Sequence, residues 1–251
     1  MSLGVLYLIP TNLSERFFPA EVLPARVIAV ATALEYFVAE NAKTARAFLK
    51  NIGITRPLQD ISIKELNHHT ANEALTEMLA PLLAGHDMGL VSEAGAPGVA
   101  DPGAFVVALA HQHGIRVVPL VGPSAILLGL MASGLNGQRF AFHGYLPQDK
   151  NTRIKAIAEL EKESAKRDMT QLFIETPYRN LALFTDLLAT LDPATRLCIA
   201  TDLTGADERV HTLSVRHWRK TVDATQKRPT LFLFHASPRP RGAQVPTANA
   251  V

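Results

Sequence analysis

One cysteine and one tryptophan are all that this chain of 251 residues holds of either type. The single thiol, Cys198, excludes an internal disulfide and a multi-cysteine metal site. Its setting, Leu197-Cys198-Ile199-Ala200, reads as an inert buried thiol. Excess charge of one sign is also lacking: 25 Lys and Arg against 23 Asp and Glu leave +2 with His neutral. That balance excludes a polybasic nucleic-acid coat and leaves room for a locally basic groove. His68-His69 and His111/His113 have no carboxylate or cysteine partner at ligand spacing, so no metal is expected. No strand-like run precedes a GxGxxG, and no GxxxxGK followed by Ser or Thr occurs, which removes the two commonest nucleotide fingerprints. Met1 to Pro10 has no basic segment ahead of its apolar run, so no signal peptide is expected. The uncharged stretch 117–138 is long enough to span a bilayer. Pro119, Gly122-Pro123-Ser124, Ser133, Gly134, Asn136 and Gln138 interrupt it, however, and leave only Ala125 to Ala132 as continuous helix. The expectation is a soluble, cytoplasmic protein without a membrane partner.

Apolar residues at 47% and charged residues at 19% are the composition of a globular chain. Strand-like and helix-like segments alternate, the pattern of an α/β protein with largely parallel sheets. Strands are expected at Val5 to Ile9, Tyr36 to Ala39, Met88 to Ser92, Val117 to Leu120, Arg139 to His143, Gln171 to Glu175, Leu197 to Thr201, Arg209 to Leu213 and Thr230 to His235. Helices are expected over Glu21 to Ala33, with Pro24 in the first turn, and from Asn41 to Asn51. Thr70-x-x-Glu73 is a capping-box pattern ahead of Leu75, Met78, Leu79, Leu82 and Leu83 at helical spacing. Asp101-Pro102-Gly103 opens another helix, with Asp as cap and Pro first inside it. Further helices follow Gly122-Pro123-Ser124, run from Thr152 to Lys166, and start at Pro177. A boundary near Val121 gives an N-terminal α/β domain, residues 1–120, and a C-terminal one, residues 121–236. Residues 237–251, with three prolines and no apolar period, read as a disordered tail.

Chemistry is expected where strands give way to helices. Ser92-Glu93-Ala94-Gly95-Ala96-Pro97-Gly98-Val99-Ala100-Asp101-Pro102-Gly103 follows a strand, and open α/β sheets place ligands at such carboxyl ends. Its glycines and prolines shape a fixed loop that presents backbone groups, and Glu93 and Asp101 add carboxylates fit to accept from an amine or ribose hydroxyls. An ordinary tight connection with an Asp cap explains the same spacing. Gly122-Pro123-Ser124-Ala125 is a second strand-to-helix turn, with Ser124 as its cap. In Phe142-His143-Gly144-Tyr145-Leu146-Pro147, His143 is either a base, a hydrogen-bond donor or a structural residue. Lys43, Arg46 and Lys50 share a helix face and with Arg16 either line a phosphate-attracting cleft or are simply solvated. Arg216, Arg219 and Lys220 read as a solvated helix face.

These segments together resemble the tetrapyrrole methylase superfamily, the class III S-adenosylmethionine-dependent methyltransferases. Within it they are most similar to the family that methylates a ribose 2′-hydroxyl of 16S ribosomal RNA. Leu90 to Gly103 is similar to that family's SDAGTPxxSDPG run, and Val117 to Ala125 to its VVPLPGPSA. Ser133-Gly134-Leu135 and Phe142 to Pro147 are similar to its SGLP and FxGFLP, Ala39 to Arg46 to its AEDTRTSR, and Glu175-Thr176-Pro177-Tyr178-Arg179 to its ESPHR. The resemblance implies two αβα domains with the cofactor, S-adenosylmethionine, in the cleft between them, usually in a homodimer. It implies cofactor contacts from Pro10, Glu93, Ala94, Gly95, Val99, Ala100, Asp101, Ser124, Ala125, His143, Gly144, Leu146, Tyr178 and Leu203. Glu40 and His143 stand as candidate bases. The implied partners are S-adenosylmethionine, S-adenosylhomocysteine and ribosomal RNA or the ribosomal subunit. Departures are local: the family's TPIGNL loop is here Ile9-Pro10-Thr11-Asn12-Leu13-Ser14, its AED is Ala39-Glu40-Asn41, and its SDAG is Ser92-Glu93-Ala94-Gly95. Two alternatives remain open. One is methylation of a tetrapyrrole or other small molecule, whose enzymes carry a GxGPGD opening loop while Tyr7 to Glu15 has no glycine. The other is a cofactor-binding protein without catalysis.

Overall fold

Short runs of four or five residues, apolar in the middle of the sheet and more polar at its edges, make the first sheet. In the computed structural model, which describes residues 2–14, 19–66, 76–221 and 227–237, these runs are β1 (Val5–Ile9), β2 (Tyr36–Ala39), β3 (Ser62–Glu65), β4 (Met88–Val91) and β5 (Arg116–Pro119). They pair in the order β3-β2-β4-β1-β5, every pair parallel. Parallel neighbours need crossovers, which helices supply. Here they are α1 (Pro19–Val22), α2 (Ala25–Ala33), α3 (Ala42–Asn51), α4 (Ala80–Leu83) and α5 (Gly103–Gln112). Side chains alternate across the sheet, so β2 sends Phe37 and Ala39 to one face and Val38 to the other. Val27, Ala31, Ala45 and Phe48 of α2 and α3 cover the first face. Leu82, Val106 and Ala110 of α4 and α5 cover the second.

The second sheet consists of β6 (Phe140–Tyr145), β7 (Thr170–Glu175), β8 (Arg196–Thr201), β9 (Arg209–Ser214) and β10 (Thr230–His235). With it go α6 (Ala125–Ser133), α7 (Lys150–Arg167), α8 (Asn180–Thr190) and α9 (Val215–Trp218). One face carries Phe173, Phe232 and Phe234 against Ile157, Leu183, Leu187 and Trp218. On the other face α6 comes so close that a Cβ on Gly129 would lie 2.4 Å from Leu231 Cδ2. The described chain divides into two compact units, Met1–Ala125 with Thr204–Ala206, and Ile126–Leu203 with Asp207–Val251. Each is an αβα arrangement. No helix among the described residues is long and apolar enough to cross a membrane.

Four expectations need correction. The second sheet is not largely parallel: its order is β6-β7-β10-β8-β9, and of its neighbouring pairs only β6/β7 is parallel. Residues 202–208 join β8 to β9 without a helix, a link long enough for a hairpin and too short for a parallel crossover. The helix expected over Glu21 to Ala33 is two, because Pro24 stands outside α2 as its cap, at φ −56° and ψ 144°. The helices read from Pro102 and Pro177 begin at Gly103 and Asn180, after turns. Arg219 is not merely solvated; its guanidinium donates to the Leu188 and Leu191 carbonyls. The Thr70-x-x-Glu73 box, Leu75, His68-His69, Arg16 and residues 238–251 lie outside the described residues.

Candidate functional site

In the first unit the carboxyl ends of β2, β4 and β1 are level, since Ala39 pairs with Val91 and Val91 with Ile9. β1 and β2 lead to helices on one face and β4 to α5 on the other. Adjacent strands whose connections leave to opposite faces open a crevice between them, the place where such sheets take ligands. The loops after β1 and β4 meet across this crevice: Thr11 N donates to Gly95 O at 2.9 Å and Thr11 Oγ1 to Ser92 O at 3.3 Å. Pro10 is buried, and a Cβ on Gly122 would lie 2.2 Å from its Cγ, so the segment after β5 is packed against the same point.

The loop after β4 is held from within. Asp101 accepts from Gly98 N at 2.9 and 3.0 Å and from Gly103 N at 2.6 Å. Gly95, Gly98 and Ala100 take φ of 73°, 79° and 61°, so the backbone doubles back repeatedly and one non-glycine residue sits in the left-handed region. Burial raises the Asp101 carboxyl above 3.8, and the bonds from Gly98 and Gly103 oppose the rise. Glu93, Ala94, Val99 and Ala100 are exposed on this loop, while Gly95 is buried. Glu93 is steadied by Thr44 Oγ1, 2.5 Å from its Oε1. Thr44 lies in the first turn of α3, whose N-cap Asn41 accepts from Lys43 N and Thr44 N. Glu40 directly follows β2 and is half-buried, and Glu65, level with Ala39 at the end of β3, accepts from Ala42 N at 2.8 Å. Ser124 immediately precedes α6, and Ala125 is its first residue. Lys43 and Lys50 are exposed on α3, and Arg46 reaches back to Ala42 O at 3.5 Å.

In the second unit His143 and Gly144 form a β-bulge in β6, and Leu146 directly follows the strand. Phe142 pairs with Leu172 and Tyr145 with Ile174, three steps on β6 against two on β7. Gly144, at φ 64°, takes the extra residue without a Cβ clash. His143 Nε2 is 2.5 Å from Gln171 Oε1. With that nitrogen donating, Nδ1 keeps the lone pair. Leu146 is buried, and the next two carbonyls, of Pro147 and Gln148, accept from Arg153 at 3.2 and 2.8 Å. Tyr178 is 85% exposed, on a turn held at both ends by one carboxylate. Buried Glu175 accepts from Thr176 N at 2.7 Å and from Arg179 at 2.6 Å. Leu203 is buried between two residues in the left-handed region, Asp202 and Thr204.

Sequence reasoning passed over Thr44, Glu175 and Arg153. Glu175 and Arg179 stand four apart, a spacing that was visible; the partners of Thr44 and Arg153 are remote in sequence and carried no local signal. Cys198 is fully buried, which pushes its thiol up to about 11 and leaves it unreactive.

Comparison with known proteins matches this geometry to one family. Residues 20–217 match the family model of the Tetrapyrrole (Corrin/Porphyrin) Methylases. The chain is 32% identical over 220 residues to a protein of Synechocystis named ribosomal RNA small subunit methyltransferase I, covering 88% of this chain and 72% of that one. A protein of the same name from Escherichia coli O157:H7 is 32% identical over 213 residues, covering 84% and 69%. The crystal structure of the methyltransferase CobJ superposes with a TM-score of 0.60 at 15% identity over 94% of this chain and 95% of that one, a likeness of fold. The crevice, the loops that close it and this match agree: the chain belongs to the tetrapyrrole methylases.

Proposed function

We propose that this methyltransferase moves a methyl group from S-adenosylmethionine to a ribose 2′-hydroxyl of small-subunit ribosomal RNA, acting in the cytoplasm as a homodimer. The observation that carries the reading is the cross-linked crown of loops at the carboxyl ends of β1, β4 and β5, built on the Glu93 to Asp101 turn. Its donor set suits the cofactor. Glu93 offers an exposed carboxylate to ribose hydroxyls or an ammonium group, and the doubled-back loop offers backbone N–H and C=O groups. Contacts are proposed from Pro10, Glu93, Ala94, Gly95, Val99, Ala100, Asp101, Ser124 and Ala125 in the first unit. His143, Gly144, Leu146, Tyr178 and Leu203 are proposed in the second.

When bound, S-adenosylmethionine supplies an activated methyl group, and transfer breaks its S–C bond as an O–C bond forms to the hydroxyl. The chain's own residues then align the hydroxyl and take its proton. Glu40 and His143 are the proposed bases, His143 through Nδ1, since Nε2 is engaged by Gln171. Calorimetric titration with S-adenosylmethionine and S-adenosylhomocysteine should give one-site binding. Labelled methyl groups should then appear on small-subunit ribosomal RNA. Cofactor binding with no label in that RNA would overturn the substrate assignment.

Gly122→Ala tests the crown itself. The new Cβ would lie 2.2 and 2.4 Å from ring carbons of Pro10, which cannot rotate aside. Overpacking of this kind costs about 1–3 kcal/mol. The expected result is a folded variant with a lower melting temperature and on the order of tenfold weaker cofactor binding. Unchanged affinity would place the cofactor away from the Pro10–Gly122 contact.

A further inference from the structure

At the start of β6, away from the bulge that carries His143, the second unit has a basic cavity. It has a volume of about 530 Å³ and is lined by Gln138, Arg139, Phe140, Lys166, Arg167 and Met169. Three of the six lining residues are cations and none is acidic. Lys166 and Arg167 come from the last turn of α7, where cations ordinarily complement the helix dipole. Arg139 does not: it enters from the strand side. Phe140 is 40% exposed beside it, on an edge strand.

The backbone that carries the lining residues is held by a hydrogen-bonded frame beside the cavity. The Asn136 side chain accepts from Gln138 N at 2.9 Å and Arg139 N at 3.3 Å, and donates to Asp168 O at 2.7 Å. Thr170 closes the frame, its N donating to Arg139 O and its Oγ1 to Asn136 O, both at 2.9 Å. Arg139 uses Nη1 on the Arg167 carbonyl, and Arg167 uses Nε on Glu163 at 3.2 Å. Each guanidinium carries five N–H groups, so most donors remain for a ligand. The acids nearby are already engaged: Glu163 with Arg167, and Asp168 with Asn136 and His235. Cations fixed to a rigid frame lose little freedom on binding.

We infer that this cavity is an anchoring site for the phosphodiester backbone of the RNA substrate, with Phe140 as a stacking surface for an unpaired base. Clustered Arg and Lys beside an exposed aromatic is the chemistry that takes single-stranded RNA. The cavity lies on the order of 15 Å along β6 from the bulge. It therefore holds the chain away from the nucleotide being modified, which a macromolecular acceptor needs and a small one does not. The inference rests on the RNA reading above.

The test is the triple variant Arg139→Gln, Lys166→Gln, Arg167→Gln in the full chain, with Phe140→Ala measured separately. A labelled single-stranded RNA oligonucleotide and protein-free small-subunit ribosomal RNA serve as probes, titrated across a range of salt. Without the three phosphate-binding cations, the slope of log affinity against log salt should fall by about 2, and low-salt affinity on the order of tenfold or more. S-adenosylmethionine affinity should not change, which also establishes that the variant is folded. Wild-type RNA binding that the triple variant retains in full overturns the anchoring site and leaves the RNA reading intact. A wild type that neither binds nor methylates the RNA overturns both. Loss of binding to the intact ribosomal subunit but not to naked RNA would assign the cavity to an acidic protein surface instead, and overturn its RNA role.

Discussion

Replacing Asp186 with alanine is expected to lower the stability of the second unit by about 3–5 kcal/mol. Asp186 Oδ2 accepts from Arg153 at 2.8 Å (Nε) and 2.6 Å (Nη2), and both side chains are under 10% exposed. Removing the carboxylate strands a guanidinium in the interior, where its desolvation is no longer compensated. That is a large part of the roughly 5–15 kcal/mol that holds a typical domain. The damage should reach the bulged strand as well, because Arg153 also ties the Pro147 and Gln148 carbonyls that follow Leu146. Denaturant unfolding followed by circular dichroism measures the loss. The double variant Arg153→Met, Asp186→Leu should recover much of it, since an apolar pair of similar volume carries no buried charge. A cost below about 1 kcal/mol for Asp186→Ala would mean that water reaches the pair in solution.

Why this pair escaped the sequence while the strands did not is a matter of range. Val5 to Ile9, Tyr36 to Ala39 and Thr230 to His235 are apolar or β-prone runs with sharp ends, and the structure forms β1, β2 and β10 over those same residues. Ser62 to Glu65 is missed because Ser-Ile-Lys-Glu, at the edge of its sheet and not fully buried anywhere, reads as surface. Strand direction in the second sheet is not written in periodicity at all. It follows from how far each connection reaches, and only the short 202–208 link announced it. Arg153 reads as one more cation on a charged helix until the fold brings Asp186, 33 residues away, against it. The loop after β4 was conspicuous for the opposite reason: its constraints are local, and three glycines, two prolines and an aspartate within Gly95 to Gly103 advertise them.

That loop carries the other large expectation. Asp101→Ala should leave the chain folded but weaken S-adenosylmethionine binding on the order of tenfold or more. The aspartate satisfies two backbone N–H groups, those of Gly98 and Gly103, and so fixes both the left-handed turn at Gly98 to Ala100 and the start of α5. Without it both donors lose their partner, at about 1–2 kcal/mol. The residues between them, Val99 and Ala100, are then free to leave the conformation proposed to meet the cofactor. Asp101→Asn should fall between, since its amide oxygen still accepts while its NH₂ opposes the second donor. A pH series separates this loop effect from general destabilisation. Because burial raises the folded-state carboxyl above 3.8, the folded chain holds this proton more tightly than the unfolded chain does. The resulting stabilisation is complete below 3.8 and is lost as pH rises through the raised value. The stability gap between wild type and Asp101→Ala should therefore narrow as pH increases across that window. Gly122→Ala, which leaves every titrating group in place, should keep a constant gap there. Equal cofactor affinity in wild type and a folded Asp101→Ala chain would remove the loop from the site.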